Sequence, residues 1–239
     1  KSEFKLAKRL NLNLMEWTID HYGFFQNPLM NTKHHKFIKE VCKKYKFKIN
    51  SITADFFMEK PFWKQKNQSY YLKKIEDLIE KCGSLKIKYI VLPLVDNSSI
   101  KDKITEKIVV RELFKLQGKL LKNNVICLFE SDFAPKKLLN FLKCFQSKTY
   151  GLNYDLGNSA SLGYNIDEEF KFCSKYIRNV HLKDRLKNGP SVRFGLGDAN
   201  FEKLFKNLKK IKYSGALILQ SSRSKKKNKD LRELEINIS

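Results

Sequence analysis

One feature constrains this chain more than any other. A short run of β-branched, aliphatic and aromatic residues closing on a polar residue is followed by a stretch of helical period, and this alternation recurs along the sequence. Seven such runs are expected strands: 12–20 (LNLMEWTID), 47–55 (FKINSITAD), 88–96 (KYIVLPLVD), 124–132 (NVICLFESD), 148–157 (KTYGLNYDLG), 177–184 (IRNVHLKD) and 214–222 (SGALILQSS). Most are apolar on both faces, as parallel strands covered by helices must be. Between them, 70–84 and 104–124 read as amphipathic helices. In the first, Tyr71, Ile75, Leu78, Ile79 and Cys82 line one face and the lysines the other. No composition break marks a linker, so residues 1–239 are expected to form one α/β domain.

Two architectures suit that alternation. A doubly wound open sheet is disfavoured, because no strand-to-helix junction carries a GxGxxG-type phosphate loop. A TIM (β/α) barrel fits better, but it needs eight strands. The chain opens in an expected helix, Glu3 to Leu10, so the first strand of a barrel would lie upstream of Lys1.

Composition narrows the function classes. No run approaches the roughly 18 apolar residues of a membrane helix. With 18 Phe, 10 Tyr and 2 Trp, the chain carries too much apolar mass for disorder. The formal charge of +23 invites a polyanion partner, yet only seven of the 48 basic residues are arginine and the lysines are spread throughout. Lysine lacks the planar fork that reads phosphate and base edges, so nucleic acid is disfavoured as a partner. The five cysteines form no CxxC pair and no export signal is visible, which predicts reduced thiols in a cytoplasmic protein. A homodimer is left open.

Chemistry is expected at the C-terminal ends of barrel strands, where the loops converge. Glu130, Asp155, His181 and Gln220 each stand directly after a run that should be buried. An isolated buried carboxylate costs several kcal/mol, so such groups need partners. Two carboxylates, an imidazole and an amide oxygen on one mouth suit one divalent cation: Mn, Zn, Mg or Co. The plainer explanation is that each caps a helix or pairs with a lysine. Lys183 and Asp184 flank His181, and Arg185 and Arg223 offer forks for a phosphate or sugar hydroxyls. Glu16 lies on the first visible strand. The remaining histidines, His21, His34 and His35, fall in or beside a polar segment and are expected to face solvent.

The segments GLNYDLGNSASLG (151–163), NVHLKDR (179–185), GPSVRFGLGDANF (189–201) and GALILQSSR (215–223) resemble the sugar phosphate isomerase/epimerase family of xylose isomerase-like TIM barrels. INSITADFF and VLPLVD fit its middle strands, so the likeness covers essentially the whole chain. The resemblance implies one divalent metal held by Glu130, Asp155 and His181, with Gln220 where the family has a second Glu. It also implies a sugar or sugar phosphate substrate and proton transfer beside a carbonyl through an enediolate, with Glu130 as base. Gln220 can coordinate a metal but cannot shuttle a proton. A one-base aldose–ketose isomerisation survives that substitution, as does an acid recruited from Asp184 or Glu16. The rivals are an endonuclease IV-like abasic-site nuclease, an inosose-type dehydratase and a non-catalytic sugar-binding barrel.

Overall fold

All seven expected strands form, each inside its expected range. The computed structural model describes residues 2–20 and 23–220. They fall into two compact units, Lys1–Ser131 with Phe141–Gly151, and Asp132–Asn140 with Leu152–Ser239.

The first unit holds β1 (Leu14–Thr18), β2 (Lys48–Thr53), β3 (Tyr89–Leu94) and β4 (Ile126–Ser131), hydrogen-bonded in chain order and all parallel. The start of β5 (Tyr150–Asp155) joins at Cys127, whose N–H donates to Thr149 O at 2.9 Å. Helix α1 (Ser2–Arg9) precedes β1, and α2 (His35–Tyr45), α3 (Asp55–Glu59), α4 (Gln68–Leu85), α5 (Lys103–Phe114) and α6 (Gln117–Asn123) separate the strands. β3 is buried along its whole length, as an all-apolar YIVLPL run between helices should be. Beside it, Phe129 of β4 stacks on Tyr150 with centroids 5.3 Å apart, and Phe141 and Phe145 pack against the same ring.

Three expectations in this unit need correction. The helix expected over 104–124 is two helices, because Leu116 N–H turns back to Leu113 O and tightens the chain between α5 and α6. The lysines of α4 do not all face water. Lys74 is buried, with its ammonium 3.5 Å from the Phe25 ring centre and 4.2 Å from that of Tyr70, so ring faces replace part of its hydration. His35 is also buried: its Nε2 lies 2.7 Å from Leu29 O and its Nδ1 lies 3.1 Å from Ser84 Oγ. His34 is exposed as expected, and His21 lies outside the described residues.

The second unit contains the rest of β5, then β6 (Ile177–Leu182) and β9 (Ala216–Leu219), again parallel and in chain order. Helix α7 (Pro135–Leu142) precedes β5, α8 (Leu156–Leu162) and α9 (Ile166–Cys173) follow it, and α10 (Phe201–Lys210) precedes β9. Asn165 caps α9 by accepting from Asp167 N and Glu168 N, and three acidic residues fill that helix's first turn, where its dipole favours them. A two-residue hairpin not expected from the sequence, β7 (Asp184–Arg185) with β8 (Ser191–Val192), projects after β6.

Candidate metal centre

The parallel register of the second unit stacks polar side chains in layers. Asn153 of β5 pairs with Asn179 of β6, and Asp155 pairs with His181 two residues on. Side chains alternate along a strand, so all four point to one face. The lower layer is tied by Asn179 Nδ2, which donates to Asn153 Oδ1 at 2.8 Å. The Asn153 amide nitrogen then lies 3.1 Å from His181 Nδ1, and that same ring nitrogen lies 3.7 Å from Asp155 Oδ2. The imidazole, 0 % exposed, is thereby fixed in orientation by its Nδ1 edge. With Asn153 Oδ1 taken by Asn179, it is the Asn153 N–H that faces the ring and makes Nδ1 the acceptor.

Asp155 carries two further tasks. Its Oδ1 accepts from Asn158 N at 2.8 Å and caps α8, so the helix begins directly where the strand ends. Its Oδ2 accepts from Lys183 Nζ at 2.8 Å. Gly157 makes that reach workable, since a Cβ there would come within 2.7 Å of Lys183 Cγ. Burial alone would push the Asp155 carboxyl up. The Lys183 ammonium and His181 outweigh it and hold the group well below the usual carboxylate range. The plainer explanation of Asp155, cap and lysine partner, is therefore fully realised, on a carboxylate that also faces an imidazole.

The remaining candidates stand on other strands. Glu130 stands one residue before the end of β4, buried and level with Pro93 of β3. Glu16 lies mid-way along β1, half-buried and level with Ser51. In the second unit Ile218, not Gln220, is level with His181, and Gln220 follows two residues later, half-buried, its N–H donating to Leu182 O at 2.9 Å. Arg223 lies outside the described residues.

Two expected substrate contacts have partners within the fold. Asp184, fully buried, accepts from the backbone N–H groups of Gly195 at 2.8 Å, Gly197 at 3.0 Å and Ala199 at 3.1 Å. It folds loop 193–199 around itself. Any side chain at 197 would collide with it, because a Cβ would sit 2.2 Å from Asp184 Oδ1. Arg185 donates through Nη1 to Asn158 Oδ1 at 2.8 Å and through Nη2 to Gly189 O at 3.0 Å, which spends its fork on the loop. The sequence reading missed Asn153 and Asn179. Their signal was present: in YGLNYD and IRNVHL each sits two residues before the candidate ligand, on the same face.

Comparison with known proteins gives the family. The family described as xylose isomerase-like TIM barrel matches residues 4–236. The chain belongs to that family. Its xylose isomerase-like TIM barrel fold recurs in solved structures of low identity. The IOLI protein, solved with a bound zinc atom, is 16% identical with a TM-score of 0.78, covering 99% of this chain and 90% of that one. D-psicose 3-epimerase from Clostridium cellulolyticum H10, solved with D-tagatose, is 12% identical with a TM-score of 0.75, covering 97% and 83%. Uncharacterized protein MJ1311 of Methanocaldococcus jannaschii is 26% identical over 91 residues, which is 37% of this chain. That match spans 31% of the length of this curated relative. Among the described residues of this xylose isomerase-like barrel, no helix is long and apolar enough to cross a membrane.

Proposed function

We propose that this chain is a divalent-metal-dependent isomerase or epimerase of a sugar or sugar phosphate, working as one barrel domain over residues 1–239. The observation that carries the reading is the Asn179–Asn153–His181–Asp155 arrangement. It is a fully buried imidazole oriented beside a buried carboxylate, at the end of strands whose interiors need neither group for packing. The zinc-bound and tagatose-bound relatives support it by fold.

The residues fit a divalent ion by their donor chemistry. Glu130, Asp155 and His181 are all buried, and two carboxylates with one imidazole suit Mn²⁺, Zn²⁺, Mg²⁺ or Co²⁺. In the proposed site these three hold the ion, with Gln220 offering an amide oxygen as a fourth donor. When bound, the ion supplies Lewis-acid polarisation of the substrate carbonyl. Glu130 takes the proton from the carbon beside that carbonyl. Asp155 and Asn153 keep His181 in place, and Lys183 carries a positive charge at the same carboxylate. Because Gln220 cannot return a proton, a one-base aldose–ketose isomerisation is favoured over epimerisation: Glu130 delivers the proton to the former carbonyl carbon, while the hydroxyl proton of the neighbouring carbon passes to the former carbonyl oxygen. Glu16 and Arg223 remain candidates for sugar hydroxyls or phosphate. Five unpaired cysteines, three of them buried, support a reducing, cytoplasmic setting.

The test is deuterium exchange. The protein is incubated in D₂O with Mn²⁺ and a panel of aldoses, ketoses and their phosphates, and NMR follows the carbon beside the carbonyl. Exchange that disappears in Glu130→Gln is the expected result. No exchange with any metal or sugar contradicts it. That outcome, together with sugar binding, favours a second reading for which the Lys183–Asp155 pair speaks: a sugar-binding barrel whose lysine ammonium serves in place of the cation.

A further inference from the structure

At the N-terminal ends of β2 and β3, in the first unit, a cavity of about 230 Å³ opens between the middle of α2 and the end of α4. Its apolar lining comes from Ile38, Phe47, Ile49, Leu85 and Ile87. The register between β1 and β2 jumps from Ile49 to Ser51, so Asn50 is an extra residue that bends the strand start away from its neighbour. On the other side α4 ends abruptly at Lys86, whose φ of 59° reverses the chain into Ile87. Interiors normally close such a space. Here the bulge and the helix stop hold it open.

The charge around it is one-sided. Lys39, Lys48 and Lys86 line the cavity and are exposed, and no Asp or Glu is among the lining residues. Among the described residues none of the three ammonium groups has an ion pair, whereas lysines elsewhere do, such as Lys119 with Glu76 at 3.0 Å and Glu80 at 2.8 Å. An apolar floor rewards a hydrocarbon body and offers nothing to a fully hydrated anion. Three unpaired ammonium groups reward an anionic head.

We propose that this cavity binds a small amphipathic carboxylate, its hydrocarbon body against Ile38, Phe47, Ile49 and Ile87 and its carboxylate among Lys39, Lys48 and Lys86. The volume lies below the roughly 300–1,000 Å³ of pockets for drug-sized ligands, which suits a medium-length chain. The site lies at the opposite ends of β2 and β3 from Thr53 and Leu94, and its failure would leave the sugar reading untouched.

Cys42, half-buried in the cavity wall, supplies the readout. Cys82, Cys127 and Cys173 are buried and Cys144 is exposed, so in Cys144→Ser the accessible thiol is Cys42. Maleimide labelling of that variant is followed with octanoate, 1-octanol, acetate or duplex DNA present. Octanoate is expected to protect saturably, at concentrations where octanol and acetate do not. Lys39→Gln, Lys48→Gln and Lys86→Gln are surface changes that leave the fold intact. Each should raise the octanoate midpoint roughly two- to fivefold, the size of an exposed ion pair. Ile49→Trp should abolish protection by filling the space. Protection by octanol equal to that by octanoate overturns the proposal. So does an octanoate midpoint unmoved by the three lysine variants, stronger protection by DNA, or no protection by octanoate.

Discussion

β3 and β5 are both six-residue strands, buried from end to end, yet they are built from different chemistry. YIVLPL carries no hydrogen-bonding side chain beyond the Tyr89 hydroxyl, and its burial is pure transfer of apolar surface. YGLNYD carries polar groups on both faces, and every one is engaged. Asn153 and Asp155 meet the amides, imidazole and lysine described above. On the opposite face Tyr154 donates to Glu169 Oε2 at 2.8 Å, joined by Ser159 Oγ at 2.5 Å. A buried polar network is at best neutral for stability against an apolar core of the same volume. β3 shows that this fold can make a strand without one. The polar content of β5 therefore points to chemistry, and the two strands should respond differently to mutation.

The largest contrast is expected at Asp155. Asp155→Asn should remove divalent-metal binding and any sugar turnover outright. It should also destabilise, because Lys183 loses its partner; breaking a buried pair costs about 3–5 kcal/mol, with the lower end apt here since Lys183 is 19% exposed. Adding Lys183→Met should recover the stability and not the metal binding, as read by urea unfolding and isothermal titration. On β3, Leu92→Ala should cost about 2–5 kcal/mol through cavity formation and leave metal affinity unchanged. Loss of metal binding in that variant would break the contrast.

Glu169 sharpens it by pH. Burial pushes its carboxyl up to about 7, against the opposing hydrogen bonds from Ser159 and Tyr154. The folded state thus holds this proton more tightly than the unfolded chain does. Its contribution is complete below about pH 4.5 and is lost as pH rises through 7, on the order of 3 kcal/mol in all. Glu169→Gln should flatten that part of the stability–pH curve, measured by urea unfolding between those values. The smallest effect is expected far from both networks. Asn67 caps α4 by accepting from Tyr70 N, and Asn67→Ala should cost about 1 kcal/mol with no change in metal affinity or pH dependence.

The strands were legible because two-sided burial writes continuous apolar runs, and Asp155 and His181 were legible because a polar residue ending such a run needs a reason. Other features depended on partners distant in sequence. Lys74 looks like any solvent-facing lysine of α4 until Phe24 and Phe25, some fifty residues earlier, supply the rings over it. His35 is drawn inside by Leu29 O and Ser84. Asp184 reads as a catalytic acid by position, and its three backbone donors come from a glycine-rich loop more than ten residues on. The β7–β8 hairpin has two residues per strand, too few for any periodicity to register.

Whether Glu130, Asp155 and His181 share one cation is decided by anomalous scattering from crystals soaked in Mn²⁺. One strong peak per chain is expected within bonding distance of all three side chains, with Lys183 Nζ displaced from Asp155 Oδ2. Crystals with no such peak, and with the Lys183–Asp155 pair intact at 2.8 Å, would contradict it.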